Sequence, residues 1–174
     1  MTSQIVCDMN NNTKYHTLND NWILWAHLPH DTDWTINSYK RIIDISNIET
    51  ILEVKKIIPD KMIKNCMIFC MREGISPTWE DEKNRSGGSF SFKINNSDVY
   101  DVWNELMLSL MTEMLIKEEV LNKLINGITI SPKKNFCIVK IWMSNIEIQN
   151  PKLLNLPSHI DTRSTLFKRH VPES

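Results

Sequence analysis

No signature of a familiar enzyme class is present in this chain. It has no glycine-rich phosphate loop, no HExxH and no GxSxG. Its four cysteines, Cys7, Cys66, Cys70 and Cys137, form no CxxC pair and have no histidine at metal-ligand spacing. They read as reduced thiols, with Cys66, Cys70 and Cys137 in apolar strands. An excess of charge is missing too. The formal net charge is −1, whereas a protein that tracks long stretches of nucleic-acid backbone carries a basic face. Any role on nucleic acid is therefore local and small in footprint. No apolar run approaches the roughly 20 residues that span a bilayer, and the N-terminus lacks an apolar signal core. The expectation is an intracellular, cytoplasmic protein with no membrane contact, no cofactor and no bound metal. With no repeat, no linker and no oligomer signal in its 174 residues, it reads as a monomer with one domain. The polar, Asn-rich residues 1–14 read as a disordered tail, and residues 15–174 as the domain.

From Trp22 onward the chain carries short apolar runs of strand length: Trp22 to Trp25, Tyr39 to Ile45, Cys66 to Met71, Ser89 to Ile94, Ile128 to Ser131 and Phe136 to Met143. In Ser89-Phe90-Ser91-Phe92-Lys93-Ile94 the alternation is strict, which predicts a strand with one wet face. Three helical segments interleave. The first opens on the capping-box spacing Ser46-Asn47-Ile48-Glu49 and stops at Pro59. The second begins near Ser97 and repeats apolar residues at Val99, Val102, Trp103, Leu106, Leu110 and Met114. The third uses Val120, Leu121, Leu124 and Ile125, with Asn126-Gly127 as its C-cap. Together these predict an α+β domain, one antiparallel sheet with helices on a single face.

One segment stands apart. In Pro77-Thr78-Trp79-Glu80-Asp81-Glu82-Lys83-Asn84, closed by Gly87-Gly88, a large ring sits beside a carboxylate on a loop between two strands. A ring with an adjacent acceptor suits a flat, hydrogen-bond-donating ligand such as a purine. Equally, Trp79 packs under its own loop and the acids are solvated.

The ordered landmarks His16-Thr17-Leu18, Trp22-Ile23-Leu24-Trp25, Asp33-Trp34, the Trp79 to Asn84 run with its glycine pair, Trp103, Ile141-Trp142 and Ser158-His159-Ile160-Asp161-Thr162 resemble the mRNA cap-binding translation initiation factor 4E family. The resemblance covers roughly residues 16–170 and includes all 6 tryptophans. It implies a curved antiparallel sheet with helices on its convex face and a cap-binding cleft on its concave face. Carried over by position, Trp34 and Trp79 sandwich the methylated guanine of the mRNA 5′ cap. Glu80 reads its Watson–Crick edge, and Trp142 lies near the methyl group. The resemblance also implies a convex-face surface for a short amphipathic helix from a scaffold resembling initiation factor 4G. Here that surface would take in His16, Ile48, Leu52, Asn104 and Leu108.

The chain departs from the family where the cap phosphates should be held. Ser89 stands at a basic position, the loop Ser131-Pro132-Lys133-Lys134-Asn135 is longer than the family's, and a family lysine falls on Ile138. The remaining candidates for phosphate are Lys133, Lys134, Arg163, Lys168 and Arg169, each of which is otherwise an ordinary solvated charge. Leu52 and Phe90 replace family tryptophans, Phe90 as a core residue. Asn104 and Thr17 replace an apolar residue and a proline on the scaffold surface. Between Trp142 and Ser158 there is too little chain for the family's next helix, which should shrink to a turn. Richness in Asn, Ile and Lys fits an AT-rich coding genome such as that of a protist or a large DNA virus. The function so implied is non-catalytic cap binding in translation initiation. The alternatives are a cap-sequestering repressor without a scaffold and, from another class, a metal-dependent nucleotide hydrolase using Glu80, Asp81 and Glu82.

Overall fold

Strand pairing is antiparallel throughout a single seven-stranded sheet. The computed structural model describes residues 15–171; the predicted tail and Cys7 lie outside them. The strands are β1 (Thr17–His27), β2 (Lys40–Asn47), β3 (Met67–Arg72), β4 (Gly88–Asn95), β5 (Ile125–Pro132), β6 (Phe136–Met143) and β7 (Leu166–Arg169). Their order across the sheet is β2-β1-β3-β5-β6-β4-β7. Helices α1 (Ile48–Ile57), α2 (Asp60–Asn65) and α4 (Val99–Met111) cover one face, and α3 (Glu82–Arg85) is a short turn between β3 and β4.

Alternation along each strand sorts side chains to the two faces. In β3, Ile68 and Cys70 join Trp22, Leu24, Phe90, Phe92 and the buried α4 residues Val102, Trp103, Leu106 and Leu110 in the main core. Phe69 and Met71 point the other way and join Trp142, Trp25, Tyr39 and Met67 in a smaller aromatic cluster. A central strand is thus buried on both sides. One side is sealed by helices, and the other forms the floor of the concave face.

Several local expectations are corrected. The cap of α1 is Asn47, whose side chain accepts from the Thr50 N–H at 2.8 Å. Glu49 instead accepts from His16 at 2.6 Å. Pro59 does end α1, but α2 starts directly after it, a helix the apolar spacing does not announce. Cys66 sits at the end of α2 rather than in a strand. Met114 falls beyond α4 and is exposed, because Glu113 turns the chain through a left-handed conformation (φ 57°).

The third helix is a 3-10 segment, Glu119–Leu124, and Asn126-Gly127 is strand rather than C-cap. The reason is tertiary. A Cβ on Gly127 would lie 2.4 Å from the Cys70 carbonyl, so only glycine lets β5 approach β3 there. Asn126 donates to the Lys83 carbonyl and to Asn84 Oδ1. As expected, Phe90 is fully buried, and the helix missing after Trp142 is reduced to a 3-10 turn, Pro151–Leu153.

Candidate functional site: a cleft on the concave face

Two loops carry the aromatic walls. Between β1 and β2, Asp33 organises its own turn. Its carboxylate accepts from the Thr35 N–H at 2.8 Å and from the Thr35 hydroxyl at 3.0 Å, bonds that hold its carboxyl below the usual range. The Asp33 carbonyl accepts from buried His27 Nε2 at 2.8 Å. Trp34 is thereby fixed with its ring stacked on His27, centroids 4.2 Å apart and planes 1° from parallel. Tyr39 meets His27 edge-on at 5.1 Å and continues to Phe69 at 5.2 Å. His27 covers one face of the Trp34 indole, which is still 58% exposed.

The second loop joins β3 to β4, and its motif residues divide into two groups. Asp81 Oδ2 accepts from the Ser76 N–H at 2.8 Å, and Oδ1 accepts from the Lys83 N–H at 2.9 Å. Buried Asn84 donates to the carbonyls of Ser76 and Thr78 at 3.0 and 2.8 Å. These two residues lace the loop shut, and what projects from it is Trp79, 47% exposed, with Glu80 beside it. Trp79 therefore does not pack under its own loop. The glycine pair follows from close approach. A Cβ on Gly87 would lie 1.7 Å from the Met143 carbonyl oxygen, and one on Gly88 would lie 2.6 Å from both the Lys168 carbonyl oxygen and the Phe167 ring.

Trp34, Trp79, Glu80, Thr78, Tyr39, Phe69, Lys140 and Trp142 line one cavity of about 250 Å³, many times the roughly 30 Å³ share of a water molecule. Trp142 is nearly buried, and its indole N–H donates to Thr129 Oγ1 at 2.7 Å, which fixes the floor. Burial, followed by the charge of Glu80, pushes the Tyr39 hydroxyl above its ordinary pKa, so Tyr39 is a neutral phenol near that carboxylate. All four residues expected for the base, Trp34, Trp79, Glu80 and Trp142, come together.

Beyond Trp79 lies a second cavity of about 200 Å³ lined by Trp79, Ser89, Lys140, Trp142, Lys168, Arg169 and His170. Register explains it. Ser89 of β4 pairs with Trp142 of β6 on one side and with Lys168 of β7 on the other, and Ser91 pairs with Lys140. The lysine at this point of the sheet is therefore Lys168 of the adjacent strand β7. Lys140 is pulled below the usual lysine range by burial, then by Lys168 and Lys133. Among the described residues neither Lys140 nor Lys168 meets a carboxylate within ion-pair distance.

Of the five expected cations, Lys168 and Arg169 are at this cavity. Lys133 and Lys134 stand exposed on the β5–β6 turn outside its lining, and Arg163 is held by Asp161 at 2.9 Å. Lys140 and His170 were not singled out in the sequence. For Lys140 a signal existed, since it lies two residues from Trp142 on the same face of β6.

On the opposite face, Leu52, Asn104 and Leu108 line a groove of about 360 Å³ between α1 and α4, together with Ile51, Lys55, Asp101, Glu105 and Met107. Leu52 and Leu108 are 51% and 43% exposed. His16 and Ile48 are not in its lining. His16 is tied to Glu49, and Ile48 packs against the core.

The chain matches the family model described as eukaryotic initiation factor 4E over residues 17–168. It is 36% identical over 100 residues to a translation initiation factor 4E homolog of Acanthamoeba polyphaga mimivirus, covering 56% of this chain and 36% of that protein. It is 30% identical over 142 residues to translation initiation factor 4E of Candida albicans, covering 76% and 66%. The chain thus spans less than two thirds of the length of each of these curated relatives. Among solved structures, Ascaris suum eIF4E-3 in complex with the m7G cap superposes with a TM-score of 0.68 at 20% identity, covering 76% of each chain. Schistosome eIF4E complexed with m7GpppG and 4E-BP superposes with 0.69 at 20% identity, covering 77% of this chain and 75% of that one. At that identity the superpositions establish the fold, and the family match over residues 17–168 settles the rest: the chain belongs to the eukaryotic initiation factor 4E family.

Proposed function

We propose that this chain binds the 7-methylguanosine cap of mRNA, without catalysis, in translation initiation. The observation that carries the reading is the convergence of Trp34, Trp79 and Glu80 on one cavity floored by Trp142. N7-methylation makes guanine cationic, so indole faces on both sides attract it. Stacking contributes about 1–3 kcal/mol per base and cation–π attraction roughly 0.5–2 kcal/mol. Glu80 accepts from guanine N1–H and the exocyclic amine while its charge meets that of the base, worth about 1.5–3 kcal/mol. Unmethylated guanine loses the charge contribution, and adenine leaves Glu80 unpaired. The phosphates run toward Lys140, Lys168 and Arg169. A hydrolase is disfavoured because Asp81 is committed to its own loop through both oxygens.

The groove between α1 and α4 favours an initiation role over a scaffold-free repressor. Exposed Leu52 and Leu108 over a cavity rimmed by Lys55, Asp101 and Glu105 suit the apolar face of an amphipathic helix. A complex with a 4E-binding protein is among the structures that share this fold.

The test is tryptophan fluorescence titrated with a methylated cap analogue and with GTP, on the wild type and on Trp79→Ala and Glu80→Ala. Saturable quenching by the methylated ligand alone, lost in both variants, is the expected result. Equal responses to both ligands would refute cap recognition.

A further inference from the structure

The groove between α1 and α4 is not apolar throughout. α4 turns Asp101, Asn104, Glu105 and Leu108 toward it, at the spacing that sets side chains on one stripe of a helix. α1 faces them with Ile51, Leu52 and Lys55. The Tyr100 hydroxyl donates to the Lys55 carbonyl at 2.9 Å, which sets the end of α1 carrying Lys55 against the end of α4 carrying Asp101. Leu52 lies about one turn back along α1 and Leu108 about two turns on along α4. These two leucines are the exposed hydrocarbon of the groove.

The polar end is short of donors. Asp101 and Glu105 are exposed and one turn apart on one helix, where like charges repel. α4 itself contains no lysine or arginine. Among the described residues neither carboxylate meets a cation within ion-pair distance. Asn104 stands between them, half-buried in the same wall. Its Nδ2 donates to the Tyr100 carbonyl at 2.8 Å. A carbonyl only accepts, so the amide is oriented and Oδ1 is its free end. That oxygen finds no partner among the described residues and stays open to solvent. The α4 wall thus offers two carboxylates and an amide oxygen, and among the described residues that line the groove only Lys55 is a cation. A wholly apolar helix face would cover these acceptors without bonding them, which opposes docking.

We propose that the segment docking here carries a basic side chain within its apolar stripe, set against Asn104 Oδ1 between Asp101 and Glu105, while hydrocarbon side chains further along cover Leu52 and Leu108. Arginine fits best, because its fork of donors serves an amide oxygen and a carboxylate together. The inference rests on the reading of this groove as a helix-docking surface and names the partner chemistry that the surface selects. Asn104 is then a specificity-determining residue, favouring such a helix over one with a hydrocarbon at the same position.

The experiment selects a phage-displayed library of helical peptides, randomised along one face, against the full chain, Asn104→Leu and the double variant Leu52→Ser/Leu108→Ser. Tm by calorimetry checks that each variant is folded. Expected from the wild type are peptides with arginine or lysine at one fixed position inside an apolar stripe. From Asn104→Leu that position relaxes toward hydrocarbon. Leucine in place of the basic residue in the best peptide should weaken binding to the wild type about tenfold or more, and Asn104→Leu should lose most of that penalty. A hydrocarbon selected at this position by the wild type, or the same penalty in Asn104→Leu, would overturn the proposal. Failure of the docking reading looks different: no peptide is enriched, or the enriched peptides bind the double serine variant as tightly as the wild type.

Discussion

At one end of the cleft, two loops hold Trp34, Trp79 and Glu80 mainly through bonds within each loop, braced by His27 of β1 and Asn126 of β5. At the other, Lys140, Lys168, Arg169 and His170 are brought together by strand pairing, with β7 laid against β4 and β4 against β6. The first end carries its own geometry. Asp33 shapes the turn that presents Trp34, and Asp81 and Asn84 close the loop that presents Trp79. The second end has no local rule. A lysine becomes part of it only because of which strand lies beside Ser89.

That contrast can be broken at either end. The largest effect is expected from Asn84→Ala. Asn84 donates to two loop carbonyls and shares a bond with Asn126 while fully buried. Its removal should cost about 2–4 kcal/mol of stability, read as a fall in Tm of roughly 5–15 °C by calorimetry. Next comes Lys140→Ala. It should weaken binding of a triphosphate cap analogue by about 1–2 kcal/mol and flatten the log–log salt dependence by about one unit, with a smaller effect on 7-methylguanosine.

His27→Ala removes the ring behind Trp34. A loss of about 0.5–1.5 kcal/mol is expected for nucleoside and nucleotide alike, measured by fluorescence titration. The smallest effect belongs to Arg163→Ala, whose guanidinium already meets Asp161. It should leave both the affinity and its salt dependence as they were, which separates it from Lys140.

Legibility in the sequence follows the same division. The base end could be read because its residues are contiguous or nearly so: Asp33-Trp34 in one turn, Trp79 to Asn84 in another. Six of the seven strands were marked by apolar runs, but β7, Leu-Phe-Lys-Arg, is too short and too charged to stand out. With β7 unseen, Lys168 could be named but not placed. Lys140 is marked only by the alternation Ile138, Lys140, Trp142, which puts it on the cleft face. Asn126-Gly127 has the form of a helix cap, and what overrides it is contact with Cys70 and with the loop behind Trp79. Such contacts lie far apart in the chain, so a local pattern does not show them. The same holds for Arg72, which reaches Asp20, Glu113 and the carbonyls of Asn122 and Ile125 from across the sheet.

The most direct test of the account is a crystal structure of this chain with m7GpppG. The methylated base is expected between Trp34 and Trp79 with its Watson–Crick edge on Glu80, and the bridging phosphates within hydrogen-bond reach of Lys140 and Lys168. A base stacked elsewhere, or phosphates running to Lys133, Lys134 or Arg163 instead, would contradict it.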